Sequence, residues 1–155
     1  MLMSSGQPHS SLDSFNIAKA SPSAFAGATT NARGDDGGTS DPLTLFTVTG
    51  DVEVGIIGVC TVDLVSAGGG TVSVGPTDNT TLFMAALTAT GLDANEVWVD
   101  ATPAIGKPLD SLSFYIVGNG EDIVEATATA DITAGQVYYL ALWRPISSGS
   151  TLVAA

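Results

Sequence analysis

Three runs rich in Val, Ile, Thr, Tyr and Ala lie close together in residues 114–143, and they favour a fold built from short antiparallel strands. A polar turn at residues 118–122 separates the first run from the second, and Ala134-Gly135 precedes the third. Because connections this short commonly join adjacent antiparallel strands, the pattern predicts a three-stranded meander. No combination of side chains in this stretch is typical of an active site.

The chain from residue 43 onward repeats this pattern of strand-like runs separated by Gly, Asn, Asp and Pro. The clearest further runs are residues 43–49, 52–62, 71–75 and 97–99. Residues 80–92 are ambiguous, because their leucines fit one face of a short helix while their threonines favour extended structure. Roughly seven or eight short strands without a long helix predict an all-β fold, a single antiparallel β-sandwich domain of the jelly-roll type.

Residues 1–42 differ from the rest of the chain, since Ser, Ala, Gly, Asn and Asp dominate and apolar residues are scattered. Fixing one backbone residue costs about 1–2 kcal/mol, and this segment has little apolar area to offset that cost. We therefore expect three parts in the chain. They are an extended N-terminal arm at residues 1–42, a β-sandwich domain at 43–146 and a short C-terminal tail at 147–155.

The balance of charge argues against two classes of partner. Apolar residues make up 45% of the chain and charged residues 13%, so the surface must rely on Ser, Thr, Asn and Gly. The net charge of −12 repels phosphate backbones and anionic lipid headgroups, so neither nucleic acid nor a membrane is expected as a partner. The N-terminus lacks the pattern of a signal peptide, and no apolar run approaches the ~18 residues of a membrane helix. We expect a protein that is made in the cytoplasm.

Side chains that commonly carry catalysis are scarce. His9 is the one histidine of the chain, so a histidine-activated nucleophile or a multi-histidine metal site cannot form within one copy on this count. Glu121, Asp122 and Glu125 lie beside the polar turn and are interpreted as solubilising carboxylates rather than an acid–base pair. Cys60 lies in an apolar run and is interpreted as a small buried side chain rather than a reactive thiol. We therefore predict no catalytic, cofactor-binding or metal-binding site.

Three short segments resemble ligand-binding loops without meeting the requirements of such loops. Asp35, Asp36 and Asp41 lack the ligand spacing of an EF-hand calcium loop and are interpreted as a solvated acidic turn. Gly68-Gly69-Gly70 opens no helix and has no following lysine, unlike a phosphate-binding loop. Arg33-Gly34-Asp35 spells a tripeptide that some adhesion receptors bind, although matches of three residues often arise by chance.

Aromatic side chains offer the alternative of sugar binding. They lie inside apolar runs rather than on polar loops, so we interpret them as core or subunit-interface residues. The residues concerned are Trp98, Trp143, Tyr115, Tyr138 and Tyr139. Arg144 directly follows Trp143 and is expected to pair with a carboxylate of its own domain or of a neighbour.

Three stretches of the chain together carry a resemblance to a known group of proteins. They are LFTVTGDVEVGIIGVCTVDL at 45–64, LDANEVWVDATP at 92–103 and ADITAGQVYYLALWRPISSG at 130–149. These stretches resemble small virion proteins of tailed bacteriophages, among them head-decoration and other structural products. The resemblance implies no active site, and it implies that the surfaces of the domain are contact surfaces.

The resemblance implies a non-enzymatic capsid decoration, or cement, protein on the outer surface of the virion, made in the host cytoplasm. Its partners would be the major capsid protein, whose neighbouring subunits it bridges, and further copies of itself, with a homotrimer suiting three-fold positions of an icosahedral shell. Alternatives are a neck, tail or head-fibre-base component of the same virion, and a carbohydrate-binding module that uses Trp98 or Trp143. The candidate contact residues are Leu12, Phe15, Ile17, Phe25, Arg33, Trp143 and Arg144.

Overall fold

The computed structural model describes residues 15–155, and β-strands account for most of the regular structure there. The strands are β1 (Asn16–Ala20), β2 (Leu43–Thr49), β3 (Val52–Val65), β4 (Thr71–Pro76), β5 (Met84–Thr88), β6 (Val97–Trp98), β7 (Tyr115–Val117), β8 (Ile123–Ala128), β9 (Ala134–Pro145) and β10 (Thr151–Ala154). Two single turns of 3₁₀-helix lie at Ala89–Gly91 and Leu109–Ser111. The prediction of an all-β fold is confirmed.

The strands form two antiparallel sheets of five strands each. Sheet A has the order β1-β9-β3-β6, and β7 pairs with β3 on the same side as β6. Sheet B has the order β10-β2-β8-β4-β5. One hydrophobic core, with side chains from both sheets, lies between them, so the domain is a β-sandwich. The jelly-roll subclass stays a prediction.

Strands β3 and β9 form the centre of sheet A and pair along almost their whole length, from Val52↔Pro145 to Val65↔Ala134. Every second residue of the pair faces the core, as the two-residue period of a strand requires. The core-facing residues are Val52, Val54, Ile56, Cys60, Val137, Tyr139 and Ala141, and all of them are buried.

The predicted meander at residues 114–143 is wrong in its connectivity, although its three strands are present. β7 pairs with β3, β8 pairs with β2 and β4, and β9 pairs with β1 and β3. The connections at 118–122 and 129–133 therefore cross between the sheets. Packed sheets lie only about 10 Å apart, so a short connection can cross a sandwich as readily as it can close a hairpin.

The structure differs from the expected three-part division at both ends. Strand β1, inside the predicted arm, pairs with β9 at the edge of sheet A, and β10, inside the predicted tail, pairs with β2 at the edge of sheet B. Residues 21–42 also stay on the domain, because the backbone N–H of Phe25 donates to Gly135 O at 2.9 Å and that of Gly27 to Ile132 O at 2.9 Å. Such backbone pairing requires no hydrophobic periodicity, which is why the composition of this segment gave no sign of it.

The ambiguous stretch at 80–92 forms an edge strand followed by a single helical turn. Strand β5 pairs with β4, and the 3₁₀ turn at Ala89–Gly91 follows directly. The threonines of this stretch thus favoured the correct alternative, since their branched side chains suit an extended backbone.

Gly75 of β4 marks a close approach between sheet B and residues 79–82. A Cβ atom at position 75 would lie 2.0 Å from Asn79 O and 2.8 Å from Leu82 N, both of them backbone atoms. We expect Gly75→Ala to lower the free energy of unfolding by about 1–3 kcal/mol, measured by urea titration, because the loop must move to admit the methyl group. Gly106→Ala is the control, since nothing lies within 4 Å of a Cβ atom there. Equal effects of the two substitutions would contradict the close approach.

Candidate functional site

The structure divides the predicted contact residues into three groups. Leu12 lies outside the described residues. Phe25 and Arg33 are buried in the interior, with 3% and 4% of their surface exposed. The other four lie together on sheet A or immediately before its first strand; they are Phe15, Ile17, Trp143 and Arg144.

Arg33 forms a fully buried ion pair with Glu125 of β8. Nε of Arg33 donates to one carboxylate oxygen of Glu125 at 2.8 Å, and a terminal nitrogen donates to the other at 2.6 Å. Only 2% of the Arg33 side chain and 1% of the Glu125 side chain are exposed. This two-point geometry matches the planar guanidinium to the planar carboxylate and fixes the orientation of both groups.

The other polar groups of this pair are also satisfied. Arg33 donates to the backbone oxygens of Ser23 at 2.6 Å and Val137 at 3.2 Å, and its guanidinium lies 3.9 Å from the ring centroid of Phe25. The hydroxyl of Tyr139 donates to Glu125. The cluster thus joins residues 23–33, sheet B through β8 and sheet A through β9.

Burial and neighbouring charges raise the pKa values of two residues of this cluster, Arg33 and Tyr139. Burial by itself lowers the pKa of Arg33, but the charge of Glu125 and its hydrogen bonds outweigh burial, and the pKa is raised. Burial, followed by the negative charge of Glu125, raises the pKa of Tyr139 well above its ordinary value. Arg33 therefore stays charged and Tyr139 stays neutral. The ion pair and the hydrogen bonds that connect the segment at 23–33 with the two sheets are thereby maintained.

These contacts correct two predictions made from the sequence. Arg33 cannot present the Arg33-Gly34-Asp35 tripeptide to a receptor, and neither Arg33 nor Phe25 is available to a partner, because both are buried. Glu125 is not a solubilising carboxylate, because it faces the core. A single charged residue in a strand cannot reveal its buried partner when that partner lies far away in the sequence.

Three of the four remaining candidates, Phe15, Ile17 and Arg144, lie at a sheet face of unusual composition, whereas Trp143 points to the core side of β9. We define the outer face of sheet A as the side of β1, β3 and β9 that points away from the core. Its side chains include Ile17, Lys19, Glu53, Ile57, Val59, Tyr138, Leu140, Leu142 and Arg144. Those of neighbouring strands lie opposite one another, as in the pairs Ile17↔Leu142 and Ile57↔Leu140. All of them are exposed or half-buried. The outer side of an antiparallel sheet is commonly polar, whereas most of these side chains are apolar.

A chain segment covers one part of the outer face of sheet A. Leu112 and Phe114 lie over Gly55, where a Cβ atom would come within 3.0 Å of Phe114 and 3.2 Å of Leu112. The ring of Phe15 lies 4.8 Å from that of Phe114, centroid to centroid. Gly55 therefore leaves room for two large apolar side chains to pack on the sheet.

Arg144 pairs with Glu53 on this same face, which confirms the expectation that it pairs with a carboxylate of its own domain. Its guanidinium also lies 5.1 Å from the centroid of the Phe15 ring. Lys19 lies 4.4 Å from the centroid of the Tyr138 ring. Both cations thus pack along the apolar surface through cation–π contacts.

The loop at residues 99–109 presents two further aliphatic side chains. Ile105 is 80% exposed and Leu109 is 60% exposed. The loop is braced by Lys107, whose Nζ donates to the two carboxylate oxygens of Asp100 at 2.8 and 3.0 Å and to Thr102 Oγ1 at 2.9 Å. The hydrogen bond from Lys107 lowers the pKa of Asp100. The sequence analysis did not single out this loop.

The other residues considered from the sequence take structural positions. Trp98 is fully buried, so it cannot form a platform for a sugar ring, and Trp143 packs partly against the core. Cys60 is a buried free cysteine, and burial raises its pKa to about 11, which confirms its interpretation as a core residue. Asp41 accepts a hydrogen bond from the backbone of Thr127 at 2.8 Å. Among residues 15–155, no group of His, Cys, Asp and Glu side chains is arranged to hold a metal ion.

One feature of the sequence indicates the apolar outer face of sheet A. The run from Val137 to Trp143 is continuously apolar, so both faces of that strand had to be apolar. Pairing with β1 and β3 then places its outward leucines beside Ile17 and Ile57. The exposure of that face depends on strand order, which the run itself does not specify.

Comparison with protein-family models, with curated proteins and with solved structures gives no match to this chain. Over residues 15–155, no helix has the length and apolar character needed to cross a membrane. The interpretation of the site therefore depends on its own geometry.

Glu125→Gln should destabilise the domain strongly, because it leaves the charge of Arg33 buried without its counter-ion. We expect the free energy of unfolding to fall by about 3–5 kcal/mol. Glu53→Gln is the matched control, since it breaks the partly exposed pair with Arg144 and should cost no more than about 1 kcal/mol. Urea unfolding of both variants measures the two losses of unfolding free energy. Similar small losses would show that the buried pair stabilises the fold no more than the partly exposed pair.

Cys60 should make stability depend on alkaline pH. Its pKa is 9.0 in an exposed thiol and about 11 in the folded protein, so the unfolded chain releases this proton first as the pH rises. The contribution of the protonated Cys60 thiol to the free energy of unfolding is complete below pH 9.0. It is lost as the pH rises toward 11, by up to about 1.4 kcal/mol per pH unit. Urea unfolding of Cys60→Ala should show a shallower loss across this window than the wild type. An identical slope would contradict the raised pKa.

Proposed function

We propose that this protein is a non-enzymatic structural protein of a tailed-bacteriophage virion that decorates the outer surface of the head and binds the major capsid protein. The observation that carries the proposal is the braced loop at 99–109, which holds Ile105 and Leu109 in solvent. Exposed aliphatic side chains on a loop that hydrogen bonds hold in shape can form part of a docking surface. The resemblance of the three sequence stretches to small virion proteins of tailed bacteriophages supports the virion as the place where this surface binds.

The chemistry of the loop suits docking onto a protein lattice. Lys107 and Asp100 neutralise each other, which leaves the exposed Asp110, next to Leu109, as the one carboxylate of residues 99–110 without an ion-pair partner. Bracing by three hydrogen bonds reduces the conformational entropy that the loop would lose on binding. Many weak contacts of this kind bind firmly when one particle offers many equivalent sites.

The clamping role expected for the whole of residues 1–42 needs revision. Strand β1 and the buried Arg33 belong to this segment and hold the domain together. Deletion of residues 1–42 would therefore remove part of the fold, so it no longer tests binding by an arm. Deletion of residues 1–14 leaves all of these contacts in place and is the appropriate truncation.

The proposal predicts the copy number of the protein in purified virions. Quantitative mass spectrometry should find an amount comparable with that of the major capsid protein, because decoration repeats with the capsid lattice. A copy number matching the rotational symmetry of a tail would instead support the neck, tail or head-fibre-base alternative. Absence from the particle would overturn the proposal.

Loop variants test the docking surface directly. We expect the double variant Ile105→Ser, Leu109→Ser to bind protein-depleted heads at least about tenfold more weakly, since burying one aliphatic side chain is worth about 1.5–3 kcal/mol. Val153→Ser on β10 is the control, because Val153 is 55% exposed but lies on sheet B. Co-sedimentation with heads measures occupancy. Undiminished binding of the double variant would exclude the loop.

A further inference from the structure

We propose that the outer face of sheet A binds the same face of a second copy of this chain. This inference concerns self-association and does not depend on the virion setting. Ile17 is 72% exposed at the edge of the face, and Leu140 and Leu142 beside it are half-buried. Burial of these side chains against an apolar surface would be favourable at about 25 cal/mol per Å².

The balance of charge on this face is compatible with contact between copies. Two chains of net charge −12 repel each other, so they can meet only where few carboxylates would be buried together. Among the side chains named above for the outer face of sheet A the one carboxylate is Glu53, which pairs with Arg144, and Lys19 adds one positive charge. The nearest further carboxylate in the covering segment is the exposed Asp110.

The dimensions of the face fit a protein–protein interface. Nine residues of β9 at about 3.3 Å each and three strands at about 4.8 Å each give a footprint of roughly 30 by 14 Å. A stable interface buries about 800 Å² on each partner, and the corrugated side chains of such a footprint supply the greater part of that area. The flat, strand-built shape also lets identical faces meet across a two-fold axis.

A second copy suits this face better than the N-terminal residues of the same chain. Residues 1–14 contain only four large apolar side chains, Met1, Leu2, Met3 and Leu12, among Ser, Gly, Gln and Pro. Such a segment offers too little apolar area to replace the solvent over three strands. A second copy brings the matching set of leucines, isoleucines and aromatic rings.

The test is the mass of the full chain in solution, measured by sedimentation equilibrium and native mass spectrometry over a range of concentrations. We expect the wild type to associate, and Ile17→Glu to weaken association at least tenfold, because it places a carboxylate at the contact. Val153→Glu is the matched control, since it adds the same charge at an exposed β-branched residue of the other sheet's edge strand. It should associate like the wild type.

A second variant distinguishes weaker association from a loss of the fold. Leu140→Thr keeps a β-favouring residue on the same face and should also weaken association, while circular dichroism and melting temperature report on the fold. A monomeric wild type, or equal weakening by Ile17→Glu and Val153→Glu, would overturn the inference. A wild-type monomer that associates only after deletion of residues 1–14 would assign the face to that segment instead. Association without head binding would refute the proposed function and leave this inference standing.

Discussion

The ion pair between Arg33 and Glu125 is the contact on which the arrangement of this domain depends. Glu125 points into the space between two sheets, where an unpaired carboxylate would cost several kcal/mol. Arg33, ninety-two residues earlier, supplies the counter-charge, and Tyr139 from the opposite sheet completes the hydrogen bonding. The polar segment around Arg33 must therefore lie on the domain, and its backbone joins residues 132–135 as a consequence.

This arrangement reverses the usual distribution of polar and apolar groups in part of the sandwich. Ionised side chains lie in the interior, whereas the outer face of sheet A carries leucine, isoleucine and valine side chains that are half-buried or, for Ile17, exposed. The interior charges are stable because every partner is present, while the exposed apolar side chains gain stability only when a further surface covers them. Arg33 and Glu125 therefore support the fold, and the outer face of sheet A is the surface proposed for association.

The two surfaces proposed for contact differ in construction. Strands β1, β3 and β9 provide a broad, flat surface without an unpaired carboxylate. The loop at 99–109 provides a narrow projection that Lys107 and Asp100 hold in shape. A broad flat surface suits identical partners, and a projecting loop suits a groove on a different protein. The two proposed contacts thus use separate residues.

Local chemistry determined the all-β class, the burial of Cys60 and most of the strands, because alternation and branched side chains act within a few residues along the chain. It did not determine which strands pair, since connections of four or five residues can close a hairpin or cross the sandwich. The role of Arg33 and the position of Leu140 and Leu142 on the outer face of sheet A could not be predicted from it either. Those properties depend on contacts between residues far apart in sequence, and such contacts exist only once the sheets have packed.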